Sequence, residues 1–389
     1  MGTMELGEVK DMPAGRFVPT ARNHAVFVPN ALPPPNLRLA TLSAPLERAT
    51  LALGELNGAS GGEAGRAALT RAFARIEAIA SCRLDGVLAS LPDLLALEIA
   101  PESERVRPDT RAVANYAHAL AYGIEQLRHA PFSKRLFCDI HRMLTERVGQ
   151  EGGAAFPIAR RRRLSSRIRS SLVRNLRPAG APTAVAIDAL GELEDFIARA
   201  GGELPGLVKA ALVHYQLLAI GAFPPANGRI ARLAVPLMLY ERHMMATPLL
   251  YLSAYFERHH RDYGTLLAEV SRAGAWDAWI GFFLAGVEAT ARHAVAKARA
   301  IEALRVHYVG RVRAARTSPR LDVLLEGLFA VPAVTIPHAM RTCGLSYNAA
   351  KSNIRKLVDL KILTPDVGER RTQHFFAREI MHLSGPPAL

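Results

Sequence analysis

From Leu46 to about Val306, apolar residues recur at i, i+3, i+4 and i+7, the spacing that gives a helix one buried stripe. The segments "APLERATLALGELNG", "AGRAALTRAFARIEAIA", "TRAVANYAHALAYGIEQL", "SKRLFCDIHRMLTERV" and "AVAIDALGELEDFIARA" all carry it. Strand-like alternation is nearly absent, and short Gly-, Pro- and Ser-containing joints connect the segments. The pattern predicts an all-α body of antiparallel neighbours over residues 45–314. Residues 1–44 read differently. There "FVPNALPPP" favours extended or polyproline backbone, so an extended Pro-rich arm laid on the body is expected.

A second pattern begins after the long helix that starts at "AWDAWIGFFLAG", with "ARTSPR" (Ala315 to Arg320) marking the boundary. Residues 315–389 predict a helix "RLDVLLEGLFA", a short helix capped by Thr335, a turn at Gly344, a helix capped by Ser346 and a hairpin around Gly368. Three helices followed by a two-stranded wing make a winged helix-turn-helix.

Charge sharpens the picture. The formal net charge of +14 over 389 residues favours polyanionic partners, although many basic proteins bind none. One stretch, "RRRRLSSRIRSSLVRNLR" (Arg160 to Arg177), holds eight Arg and no acid, which fits either a solvated face or a polyanion contact. No window of about 18 apolar residues and no basic-then-apolar leader is present, so a cytoplasmic protein with no membrane partner is expected. Cys82, Cys138 and Cys343 are too few and too scattered for a disulfide framework or a zinc site.

The stretch "IGAFPPANGRIAR" (Ile220 to Arg232) is the candidate for chemistry. A loop through Pro224 and Pro225 turns at Asn227 and Gly228 into an apolar helix. Amides at that start, the helix dipole, and Arg229 and Arg232 three positions apart form an anion site. The same residues also fit a structural cap beside two surface arginines. His214 lies seven residues before Gly221, about 10 Å along a helix, beyond the hydrogen-bond reach a base requires. It reads as a packed helix residue.

His214 to Leu239 resembles the signature of the Fic (Fic/Doc) family: HPF, one residue, an acid, GNGR, two residues, Arg. Phe223, Asn227, Gly228, Arg229 and Arg232 match. The resemblance implies an all-α Fic-type body, a nucleotide held at 221–232, and AMP transfer in which the histidine is the base and the acid holds Mg²⁺. Here Gly221 stands at the histidine position, Ala222 at the proline, Pro225 at the acid and Ala226 at the first glycine of GNGR. No catalytic residue, metal ligand or Mg²⁺ is therefore expected, and ATP or another phosphate-bearing molecule is the candidate ligand.

"SCRLDG" (Ser81 to Gly86) resembles the family's N-terminal inhibitory helix, in which a Glu pairs with the second motif arginine. Ser81, Asp85 and Gly86 occupy that motif, and Asp85 is one methylene shorter than Glu. The expectation is that Asp85 reaches Arg232 poorly or not at all and that the element survives as core packing. The Arg-rich 160–177 run falls where relatives carry a target-docking flap.

In the helix from Ser346, Tyr347, Asn348, Lys351, Ser352 and Arg355 share one side, with Ala349, Ile354, Leu357 and Leu360 turned inward. Such groups reach base edges and phosphates. Arg370 and Arg371 fall in the wing. Double-stranded DNA is the expected partner, and protein contact is the other use of such a helix. Residues 315–389 are only mildly basic, with nine Lys and Arg against six acids counted from Ser318. The expected function is a DNA-binding transcriptional regulator with a degenerate Fic pocket that senses a nucleotide or phosphate ligand, compatible with a homo-oligomer. The alternative is a nucleotidyl or related transferase acting on protein hydroxyls through a non-standard site.

Overall fold

The computed structural model describes residues 11–19, 25–59, 62–101, 106–148, 183–199, 204–315, 319–366 and 373–386. The arm is not simply extended. Strands β1 (Asp11–Met12), β2 (Gly15–Pro19) and β3 (Ala25–Pro29) form an antiparallel sheet in that order. Phe17 lies opposite Phe27, their rings meet edge-on at 5.4 Å, and Phe27 is buried. Pro19 and Pro29 end their strands, where a missing N–H costs the ladder little. The strands are short and Pro-bounded, so their alternation is too brief to register as a pattern.

Beyond a 3-10 turn at Leu39–Leu42, the helices are α1 (Ser43–Gly58), α2 (Glu63–Leu84), α3 (Leu91–Ile99), α4 (Pro108–Leu127), α5 (Lys134–Thr145), α6 (Thr183–Ala198), α7 (Gly206–Ile220), α8 (Asn227–Glu241), α9 (Ser253–Arg258), α10 (His260–Ala273) and α11 (Trp276–Ala314). The helical path breaks between α9 and α10, where His259 leaves helical geometry (φ −106°, ψ 36°). Helices α7 and α8 are buried on nearly every side. A helix apolar all round belongs at the centre of a domain, and the others wrap this pair, with α1 lying along α11.

His214 sits in the middle of that core, fully buried. Its Nδ1 lies 2.9 Å from the Ala231 carbonyl and its Nε2 2.8 Å from the Tyr263 hydroxyl. The ring stacks on Trp279 at 5.6 Å, and Trp279 Nε1 donates to the Ala211 carbonyl. A neutral ring that donates at Nδ1 and accepts at Nε2 satisfies both contacts. His214 is therefore a satisfied core residue, tying α7 to α8 and α10.

The chain continues through α12 (Pro319–Ala330), β4 (Ala333–Val334), α13 (Ile336–Cys343), α14 (Tyr347–Asp359), β5 (Thr364–Pro365), β6 (Phe375–Phe376) and α15 (Arg378–Ser384). Thr335 and Ser346 cap α13 and α14, accepting from the amides of His338 and Ala349, and Gly344 is left-handed (φ 61°). The sheet has three strands in the order β4-β6-β5, where a two-stranded wing was expected. Phe375 and Phe376 are both buried, so β6 takes the central place. Gly368, Arg370, Arg371 and the Arg160 to Arg177 run lie outside the described residues. The C-terminal elements lean on α11: Tyr308 donates to Glu379 at 2.7 Å, and Lys297 donates to the Leu383 and Gly385 carbonyls.

Burial lowers the pKa of His214 to about 3, against about 6.5 in an unfolded chain. Between those values the unfolded chain binds a proton that the folded core excludes, so stability falls as pH drops below about 6.5. The slope for this group is ~1.4 kcal/mol per pH unit. Denaturant unfolding at pH 7 and pH 5 should show the wild type losing about 2 kcal/mol more over this interval than His214→Gln does. Equal losses would show that the ring is charged in the fold.

Candidate functional site

The loop 221–226 joins the two most buried helices. Gly221 closes α7 in the left-handed region (φ 66°, ψ 26°), its N–H on the Leu217 carbonyl. Asn227 braces the loop from the other side. Its Nδ2 donates to the carbonyls of Leu217 (3.1 Å) and Leu218 (3.3 Å), and its Oδ1 accepts from the Phe223 amide at 3.3 Å. The Asn227 side chain thus holds the loop and leaves only its amide for a ligand. Phe223 is also a packing residue, buried against Phe137 and His141. No side chain caps α8, so its first turn presents backbone N–H groups and the positive end of the dipole.

Arg229 and Arg232 are only 5% and 4% exposed, which overturns the surface-arginine alternative. Their partners come from the end of α2. Arg232 Nε donates to Ser81 Oγ at 2.7 Å, and its Nη2 donates to the Ser81 carbonyl at 2.9 Å and to Asp85 Oδ1 at 2.7 Å. Arg229 Nε donates to Asp85 Oδ2 at 3.2 Å. One carboxylate bridges both arginines.

The expectation that Asp85 falls short of Arg232 is therefore corrected, and Gly228 supplies the physical reason. A β-carbon at Gly228 would lie 2.9 Å from both Asp85 Oδ1 and Arg232 Nη1, so the close approach of the Asp85 carboxylate to the first turn of α8 depends on a glycine there. Asp85 is the C-cap of α2, and the chain leaves through Gly86 (φ 80°) with the Val87 amide returning to the Cys82 carbonyl. The inhibitory-like segment is thus the last turn of α2 and its exit, separate from α3.

Burial alone would lower the pKa of Arg232, but the Asp85 carboxylate, with smaller contributions from Tyr263 and Tyr116, outweighs it and the guanidinium is held above its ordinary range. Arg229 Nη1 is buried and has no hydrogen-bond partner among the described residues. It is a donor beside the open turn of α8.

Two features escaped the sequence reading. Under Ser81, the fully buried Glu77 accepts from the Tyr116 hydroxyl and the Ser253 amide and is also bonded to the Ser253 hydroxyl. Burial raises its pKa against those bonds. Its signal was an acid one helical turn before Ser81 within an otherwise apolar stretch. The second is His141 of α5, whose Nε2 lies 3.1 Å from the Pro224 carbonyl and whose ring packs on Phe223. Burial lowers its pKa, the Pro224 contact opposes this, and the Arg229 charge adds to the lowering. Nothing in the spacing linked α5 to this loop.

Two family models match the chain: Fic/DOC family N-terminal over residues 43–125 and Fic/DOC family over residues 131–239. The chain belongs to the Fic/DOC family. Among solved structures it is similar to a Fic family protein from Desulfovibrio desulfuricans G20, at 17% identity and a TM-score of 0.51, covering 89% of this chain and 98% of that one. That likeness supports the shared fold. Within the Fic fold of this chain, neither Gly221 nor Pro225 offers a proton acceptor or an oxygen ligand in its side chain. Among the described residues no group of three or more His, Cys, Asp or Glu could hold a metal, and no helix is long and apolar enough to cross a membrane.

The second set of candidates lies on α14. Ser346, Tyr347, Asn348, Lys351, Ser352 and Arg355 are all exposed, while Ala350, Asn353, Ile354 and Leu357 are buried and Ala349 and Leu360 partly so. Tyr347 is 53% exposed.

Since Asp85 and an incoming anion need the same donors, Asp85→Ala should bind tripolyphosphate at least tenfold more tightly than the wild type in calorimetric titration. The variant should also be less stable in anion-free buffer. Stripping the partner from a buried charge costs about 3–5 kcal/mol, and the partly exposed Asp85 carboxylate places this case at or below the lower end. Tripolyphosphate should restore the melting temperature. An unchanged affinity would mean the arginines are not the anion site.

Proposed function

We propose that this Fic-family protein is a DNA-binding regulator whose arginine cradle takes a phosphate-bearing ligand instead of performing AMP transfer. The observation that carries the reading is the exposed face of α14. Hydroxyl, amide, Lys and Arg groups occupy one side of a capped helix whose other side is buried, and these are the donor types that read base edges and hold phosphates in a major groove. The helices α12 to α14 with the β4-β6-β5 sheet suit a winged helix-turn-helix, in which the second helix of the turn enters the groove. The surplus of positive charge supports the same partner.

The pocket supports the ligand half of the reading. Two buried arginines, an Arg229 Nη1 with no partner among the described residues and an uncapped helix start suit an anion site of the sort helix N-termini form. The transfer chemistry of the family needs a base and a metal ligand where this chain has Gly221 and Pro225. A missing general base typically forfeits about 10²–10⁴ in rate. Incubation with labelled ATP and Mg²⁺ or Mn²⁺ should therefore label neither the protein nor a lysate, and robust labelling would refute this part.

For DNA, fluorescence anisotropy of the full chain on genomic fragments selected by pull-down should show affinity falling steeply with salt. Each phosphate contact adds about 0.9 to the log–log slope. Asn348→Ala or Arg355→Ala should cost about 1–3 kcal/mol on a specific site and less on random duplex. If the full chain binds no duplex at about 50 mM salt, a regime in which phosphate contacts are strong, then α14 is a protein-contact surface and the proposal fails.

A further inference from the structure

The arginine cradle and the C-terminal elements share one helix. At its C-terminal end α2 presents Ser81 and Asp85 to Arg232 and Arg229. Earlier on the same helix is Arg75, whose side chain is 5% exposed. It grips Glu98 of α3 with two parallel bonds, Nε to Oε1 at 2.8 Å and Nη2 to Oε2 at 2.6 Å, and Nη2 also donates to the Ala330 carbonyl at the end of α12. A bidentate guanidinium pair fixes orientation as well as distance.

The exit from α2 leads to the same place. From Asp85 the chain turns at Gly86 and runs into α3. There the Ile99 carbonyl accepts from Arg341 of α13 at 3.1 Å, and Leu95 and Ile99 form an apolar cluster with Ala333 of β4 and Phe376 of β6. Between Asp85 and α3, the Leu88 amide is held by Asp109 of α4 at 2.9 Å. Residues 81–99 therefore touch the cradle at one end and, at the other, α13, β4 and β6, with α14 packed on α13.

We propose that cradle occupancy and DNA affinity are thermodynamically coupled through this segment. An anion that takes Arg229 and Arg232 removes the two ion pairs that seat Asp85, and the 85–90 turn and α3 lose an anchor. The contacts of α3 with Arg75, Arg341, Ala333 and Phe376 then hold α13 and α14 less firmly. DNA must restore that order when it binds, so the anion weakens DNA binding. Linkage is reciprocal, so DNA weakens the anion by the same factor. This inference rests on the DNA-binding reading for its output but not for its mechanism.

The test uses the full chain, with inorganic tripolyphosphate as the probe and ionic strength held constant. Hydrogen exchange without DNA should show faster exchange in α3 and in α13–α14 when the probe binds, and the same change in Asp85→Asn without it. In Glu98→Gln the probe should still protect the start of α8 but should no longer alter α13–α14. On a DNA site the wild type should weaken at least fivefold with the probe, and Asp85→Asn should be comparably weak without it. Exchange changes confined to the 81–90 turn and α8, in both the liganded wild type and Asp85→Asn, would overturn the coupling. If exchange spreads to α13–α14 but no duplex binds under any condition, the coupling stands and the DNA reading falls.

Discussion

A single carboxylate holds the site of this molecule together. Asp85 sits at the end of α2, yet its two oxygens take a guanidinium from each of two successive turns of α8. Without it, two buried cations would face one another across the start of a helix whose dipole is also positive there. Asp85 and Ser81 offset the cost of burying the Arg232 charge, and α2 is thereby fixed against the central α7–α8 pair. Packing around the pair is tight enough that the lack of one β-carbon, at Gly228, decides whether the carboxylate reaches.

Below this bridge the polar groups form a connected column. Ser81 answers Arg232, Tyr116 and Ser253 answer Glu77, and Glu77 lies one helical turn before Ser81 on α2. Such a column specifies how α2, α4 and α9 meet, since each buried oxygen has its partner and any other register would strand some of them. The apolar core supplies the bulk of the burial; the column selects the arrangement.

Much of the helical body was legible because 3.6-residue periodicity is a local signal. Caps at Thr335 and Ser346 and the left-handed Gly344 were legible for the same reason: each depends on residues three or four positions away. What escaped depends on distant pairing. The β2–β3 sheet rests on Phe17 meeting Phe27 between proline-ended strands too short to show a pattern. His141 reaches the loop only through the packing of α5, and β4 adds a third strand because Phe375 and Phe376 both need cover. Asp85 reaches Arg232 despite its short side chain because Gly228 permits a close backbone approach that no local spacing announces. The motif residues lie together, and the structure separates them into arginines that pair with Asp85 and Asn227 and Phe223 that build the loop.

The left-handed Gly221 limits what can be built into this turn. At φ 66° a β-carbon meets the carbonyl that follows it, a penalty of roughly 1–2 kcal/mol for an ordinary residue. A histidine placed at 221 would carry that strain, and Pro225 in the same loop would still offer no carboxylate. Substitution at one position alone therefore cannot furnish both a base and an oxygen ligand in this loop, and the turn geometry ties the two positions together.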